Sequence, residues 1–113
     1  MRPDAFANLA RALSSPRRAA IIKLLIESKE MVASSTIASV LGIRDGDASY
    51  NLIKLAEVGL VLRQVHGRWV FYAVNRSLLN EVQRFLDAPA HAAVVTGLPR
   101  VEEVCEDVGG TEP

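Results

Sequence analysis

The chain has 113 residues, half of them hydrophobic, which suits one small domain with a thin core. Its longest apolar clusters, such as "AAIIKLLI", are far too short to span a bilayer, and the start "MRPDAFANLARAL" lacks the apolar run of a secretory signal. A net charge of zero ordinarily argues against a nucleic-acid partner, but residues 1–76 hold 11 basic and 6 acidic side chains (+5) and residues 77–113 hold 2 and 7 (−5), so that a basic front keeps the option open.

"DAFANLARAL" places Phe6, Leu9, Ala10 and Leu13 at helical spacing and stops at "SSP". Ser15 then reads as an N-cap with Pro16 at the first helical position. The helix it opens, "PRRAAIIKLLIESK", gathers Ile21, Ile22, Leu25 and Ile26 on one core face. "MVASSTIASVLGI" begins with a short extended piece and continues as a helix of about two turns from Ser35, with Ile37, Ala38 and Leu41 inward. Gly42 ends it, because glycine tolerates the left-handed backbone of a sharp turn. Asp45 or Asp47 caps the next helix, whose buried stripe is Ala48, Leu52, Leu55 and Ala56 and which Gly59 ends. Helix, glycine turn, helix, with the small residues Ala38 and Ala48 where the two would cross, is a helix-turn-helix pattern.

Residues 61–66 and 68–74, rich in Val, Trp, Phe and Tyr, form a two-stranded hairpin with its tip at His66, Gly67 and Arg68. "NRSLLNEVQRFL" is the last clear helix, striped by Leu78, Leu79, Val82, Phe85 and Leu86. Residues 88–113 read as an acidic extension of short helices, opened by Pro89 and Pro99, and a disordered "GGTEP". There Val101, Val104, Cys105 and Val108 share one stripe, which makes Cys105 a small buried hydrophobe. As the one cysteine it permits no intrachain disulfide, which fits a reducing cytosol and a cytoplasmic location.

The segments "LARALSSPRRAAIIKLL", "LGIRDGDASYNLIKLAEVGLV" and "GRWVFYAV", taken together from about Phe6 to Leu86, resemble the ArsR-type (ArsR/SmtB) family of winged helix-turn-helix repressors. The resemblance implies a mainly α fold with a small β-hairpin, residues 1–87 forming the DNA-binding and dimerisation domain. It implies a homodimer through the first and last helices, with Phe6, Leu9, Leu13, Leu78, Leu79, Val82, Phe85 and Leu86 at the interface. The recognition helices would enter successive major grooves of a pseudo-palindromic double-stranded operator. The residues expected on DNA are Ser49, Tyr50, Asn51 and Lys54 on the recognition helix, Arg44 before it, and Arg63, His66 and Arg68 on the wing. Ser49 matches the family. Relatives commonly carry Arg and His at the next two positions; here Tyr50 can bond phosphate or pack on a thymine methyl, and Asn51 can bond adenine. Asp45 and Asp47 depart from the pattern and would weaken non-specific attraction or read a cytosine amine.

The family's sensing sites are not matched. Its Cys-x-Cys pair falls on Ala33 and Ser35, and the last helix offers no histidine for an Asp, His and Glu site. His91 with Cys105 and the acids Glu102, Glu103, Glu106 and Asp107 make only a weak substitute. With His66 and His91 the only histidines, and no glycine-rich phosphate loop, neither enzymatic activity nor a cofactor is expected. Asp45, Asp47 and the missing Arg-His pair also suit a second reading, a winged-helix dimer that serves as a protein-interaction module without specific DNA binding.

Overall fold

The computed structural model describes residues 1–88, and the expectations for His91, Cys105 and the acidic extension lie outside them. The elements run α1 (Pro3–Ala12), α2 (Pro16–Glu27), β1 (Val32–Ala33), α3 (Ser34–Leu41), α4 (Asp45–Glu57), β2 (Val61–His66), β3 (Trp69–Val74) and α5 (Arg76–Asp87). This is a winged helix-turn-helix, mostly helical, with three antiparallel strands in the order β1-β3-β2. The expected two-stranded hairpin is β2–β3, and a third strand extends its sheet. The short extended piece before α3 pairs with it, Val32 opposite Tyr72 and Ala33 opposite Phe71, and anchors the wing to the helical body.

The helix boundaries follow local chemistry. The Ser15 hydroxyl accepts a hydrogen bond from the Arg18 amide, with Pro16 at the first position of α2. Asn75 caps α5 through its side-chain oxygen on the Leu78 amide, while its own side-chain amide donates to the Gly59 carbonyl. That pair of bonds seats α5 on the turn after α4. Neither aspartate caps α4, contrary to the sequence expectation. Arg44 is the N-cap residue and makes no side-chain cap, while Asp45 and Asp47 lie inside the first turn. There their charge still opposes the helix dipole favourably.

The core joins Leu9 of α1, Ile21, Ile22 and Leu25 of α2, Ile37 of α3, and Leu52 and Leu55 of α4. Leu60, Val61, Tyr72 and Val74 close it from the sheet side. Ile26, assigned to the buried face of α2, is 39% exposed. None of the residues of α5 is fully buried: Leu78, Leu79 and Val82 pack on the core with one side only. No helix among the described residues is long and apolar enough to cross a membrane.

Candidate nucleic-acid interface

The α3–α4 unit is built by two glycine-terminated helix ends. The Ile43 amide donates to Ala38 and the Gly42 amide to Ser39, with Gly42 at φ +67°. The same pair of bonds closes α4, from Leu60 to Leu55 and from Gly59 to Ala56, with Gly59 at φ +82°. Both are Schellman closures, which need a left-handed residue that glycine adopts without steric cost. Ala38 and Ala48 are fully buried, and α3 packs directly on α4.

This packing decides which side of α4 is available. Ala48, Asn51, Leu52 and Leu55 face the core. Gly46, Tyr50, Ile53 and Glu57 are exposed and follow one another at helical spacing, with half-buried Ser49 beside them. Tyr50 is 58% and Ile53 48% exposed. Lys54 lies at the flank of this stripe. Its ammonium sits 5.5 Å from the centre of the Tyr50 ring and 3.7 Å from the Glu57 carboxylate.

Asn51 is not on the outward side, and the role expected for it in base reading is corrected. It is 7% exposed and held at both ends of its amide. Its nitrogen donates to the Asp47 carbonyl at 2.8 Å, and its oxygen accepts from the Arg18 guanidinium at 3.1 Å. The Arg18 Nε in turn donates to the carbonyl of Ala12, at the end of α1. An adenine would have to compete with bonds already made.

The start of α4 is also less basic than its sequence suggests. The Asp47 carboxylate lies 3.4 Å from Arg44 and 3.6 Å from Arg17, and so offsets part of their combined charge. Arg17 was not among the residues expected near DNA; only the packing of α2 against α4 brings it there. Ile53 was missed as well, although its spacing from Gly46 and Tyr50 was visible in the sequence.

On the wing, His66 pairs with Trp69, and Gly67 and Arg68 make a two-residue turn. Gly67 has φ +61°, and Arg68 does not have a positive φ, the arrangement of a type II′ turn. Arg63, His66 and Arg68 are exposed, and neither arginine has an ion-pair partner among the described residues. The His66 and Phe71 rings lie edge to face with centres 5.7 Å apart.

At the far side of the molecule, Phe6 stacks on Phe85 with ring centres 4.9 Å apart. Both rings remain only half-buried, and Leu86 is 63% exposed. An open groove of about 740 Å³ runs beside them, lined by Met1, Pro3, Glu81, Arg84, Phe85 and Leu86. Leu9 does not belong to this surface. At 6% exposure it is part of the monomer core, while Leu13, like Leu78, Leu79 and Val82, packs half-buried against that core and keeps a partly open side.

Residues 13–64 match the model of a helix-turn-helix domain family. The fold is similar to the crystal structure of a possible transcriptional regulatory protein from Mycobacterium bovis, a fragment of residues 1–100. That match has 30% identity and a TM-score of 0.60, over 75% of this chain and 94% of that one. A solution structure of a homodimeric winged helix-turn-helix DNA-binding domain from M. bovis, of a possible ArsR-family transcriptional regulator, aligns at 29% identity and a TM-score of 0.60. It covers 78% of this chain and 88% of that one. The structure of an ArsR-like transcriptional regulator from Rhodococcus sp. RHA1 is similar, with a TM-score of 0.65 at 21% identity and an alignment that covers 96% of each chain. No curated protein matches the chain in sequence.

Proposed function

The chain belongs to the ArsR family of winged helix-turn-helix transcriptional regulators, DNA-binding proteins, and from that premise we propose that it acts as a homodimeric repressor of a pseudo-palindromic operator. The observation that carries this reading is the pairing of an exposed α4 stripe with a wing whose Arg63 and Arg68 are free of ion pairs among the described residues. Tyr50, Ser49 and Lys54 present the recognition face. Arg44, Arg63, His66 and Arg68 bind phosphate or a narrow minor groove on either side of it.

A dimer is supported by the half-covered α5 stripe, by the Phe6–Phe85 stack at its edge, and by the homodimeric state of the M. bovis domain. A two-fold copy laid on this face would bury it and set the two α4 helices for successive half-sites. Residues 1–87 are the unit that does this, and residues 88–113 are appended to it.

The family's metal response is absent from this reading. Ala33 and Ser35 stand in the thiolate positions, and the described residues contain no group of three or more potential His, Cys, Asp or Glu ligands. Purified protein is expected to carry no stoichiometric zinc or cadmium by native mass spectrometry.

The second reading, an interaction module, draws on the Asp47 carboxylate that occupies Arg17 and Arg44. Selection of randomised duplex DNA with purified protein separates the two. Enrichment of a palindrome, with affinity falling steeply as salt rises, supports the repressor. No enrichment even at low salt leaves the interaction module.

A further inference from the structure

The middle of the outward stripe of α4 carries two large, largely apolar side chains where a DNA reader usually carries amide or cationic ones. Tyr50 and Ile53 stand three positions apart on it, both about half exposed. The charged side chains around them lie in solvent-exposed ion pairs, which leave the apolar surface between them open. Lys54 lies beside Glu57, and Arg44 and Arg17 beside Asp47. Gly46 completes the stripe one turn before Tyr50. Its φ is not positive and a Cβ there would meet nothing within 4 Å, so neither backbone conformation nor packing within the chain explains a glycine. In a helix that choice costs stability relative to alanine. What it provides is bare backbone on the face that would lie against a ligand.

We propose that Tyr50 and Ile53 recognise thymine C5-methyl groups in the major groove, so that each operator half-site carries thymines opposite these two side chains. The proposal rests on the DNA-binding reading above and adds the chemistry of the bases. In the major groove the thymine methyl is the apolar feature of the four bases, and apolar side chains distinguish it by contact. Ile53 supplies a branched aliphatic surface and Tyr50 an aromatic face, while Gly46 lets the helix start approach closely. The wing arginines meet phosphate or groove shape and touch no base edge in the major groove, so direct base reading there falls to this stripe.

The test begins from duplexes enriched by the purified full chain. Each thymidine is replaced in turn by deoxyuridine, which differs only by the missing methyl, and binding is measured by fluorescence anisotropy. Removing one contacted methyl is expected to weaken binding roughly fourfold, and about fifteen-fold when the change is made in both half-sites. In Ile53→Ala or Tyr50→Ala one of these uracil penalties should vanish, since the side chain that senses the methyl is gone. Both residues are exposed, and unchanged thermal unfolding of the variants confirms the fold. Uracil tolerated at every position, or penalties that persist in both variants, overturns the thymine proposal alone. Failure to enrich any duplex overturns the DNA-binding reading together with it.

Discussion

Arg18 carries its charge into the junction of α1, α2 and α4 and meets no carboxylate among the described residues. Its donors go instead to the Ala12 carbonyl and the Asn51 amide oxygen. Asn51 is thus a support for Arg18 and for the start of α4, not a reader of bases. Asn51→Leu keeps the volume close but leaves the guanidinium short of an acceptor, and a loss of about 1–3 kcal/mol of stability is expected in urea denaturation. Base preference in the surviving folded protein should be unchanged. A variant of full stability with altered preference at one base would return Asn51 to the interface. Asp47 acts at the same scale in the opposite sense. Its two ion pairs are largely solvated, so Asp47→Asn should change stability little. It should release Arg44 and Arg17 to phosphate, raising affinity for unrelated DNA and steepening the salt slope by roughly 0.9 for each further phosphate neutralised. Unchanged non-specific binding would show that neither arginine reaches the backbone.

The wing is the element whose shape depends most on one residue. Gly67 has open space around it, so Gly67→Ala meets no steric obstacle except its own backbone. At φ +61° that obstacle is worth roughly 1–2 kcal/mol. The cost would appear as lower thermal stability and as loosened exchange protection confined to β2 and β3. With the hairpin intact, Arg63→Ala combined with Arg68→Ala should weaken all sequences alike. The salt slope should become shallower by about 0.9 for every phosphate these arginines neutralise in the parent protein. A weakening confined to the selected operator would contradict a backbone role. β1 gives this hairpin its fixed base, since its two residues continue directly into α3 and pair with the middle of the sheet.

At the scale of the whole molecule, α1 and α5 are the two helices least committed to the monomer. Of α1 only Leu9 is fully buried, and of α5 no residue is. Yet α5 is firmly seated: Asn75 bonds to Gly59, and the Arg76 guanidinium donates to the carbonyls of Ile26 and Ser28 at the end of α2. A rigid helix with an unfinished apolar face is what a second copy can use. Phe85→Glu places a charge in that face, and sedimentation is expected to report a dimer for the parent and a monomer for the variant. Operator affinity should fall with it, because two half-sites are no longer bound as one event. A variant that remains dimeric would move the interface elsewhere.

Much of this was legible in the sequence because it is local. Helical spacing, Ser15 before Pro16, and the glycines at 42, 59 and 67 each act through neighbouring backbone atoms, and every predicted element of residues 1–87 is present within a residue or two of its expected ends. The three-element motif and its wing therefore followed from the order of residues alone. Inward and outward were harder wherever the deciding partner is distant. Asn51 turns inward because Arg18 is there, 33 positions away; Leu9 joins the core rather than the outer face; Asp47 meets Arg17 only because α2 packs on α4. β1 exists only by pairing with a strand about forty residues later. A pattern of residue types carries the period of an element but not the identity of what lies against it. Packing chose which polar side chains were spent inside the fold, and so which ones remain for DNA.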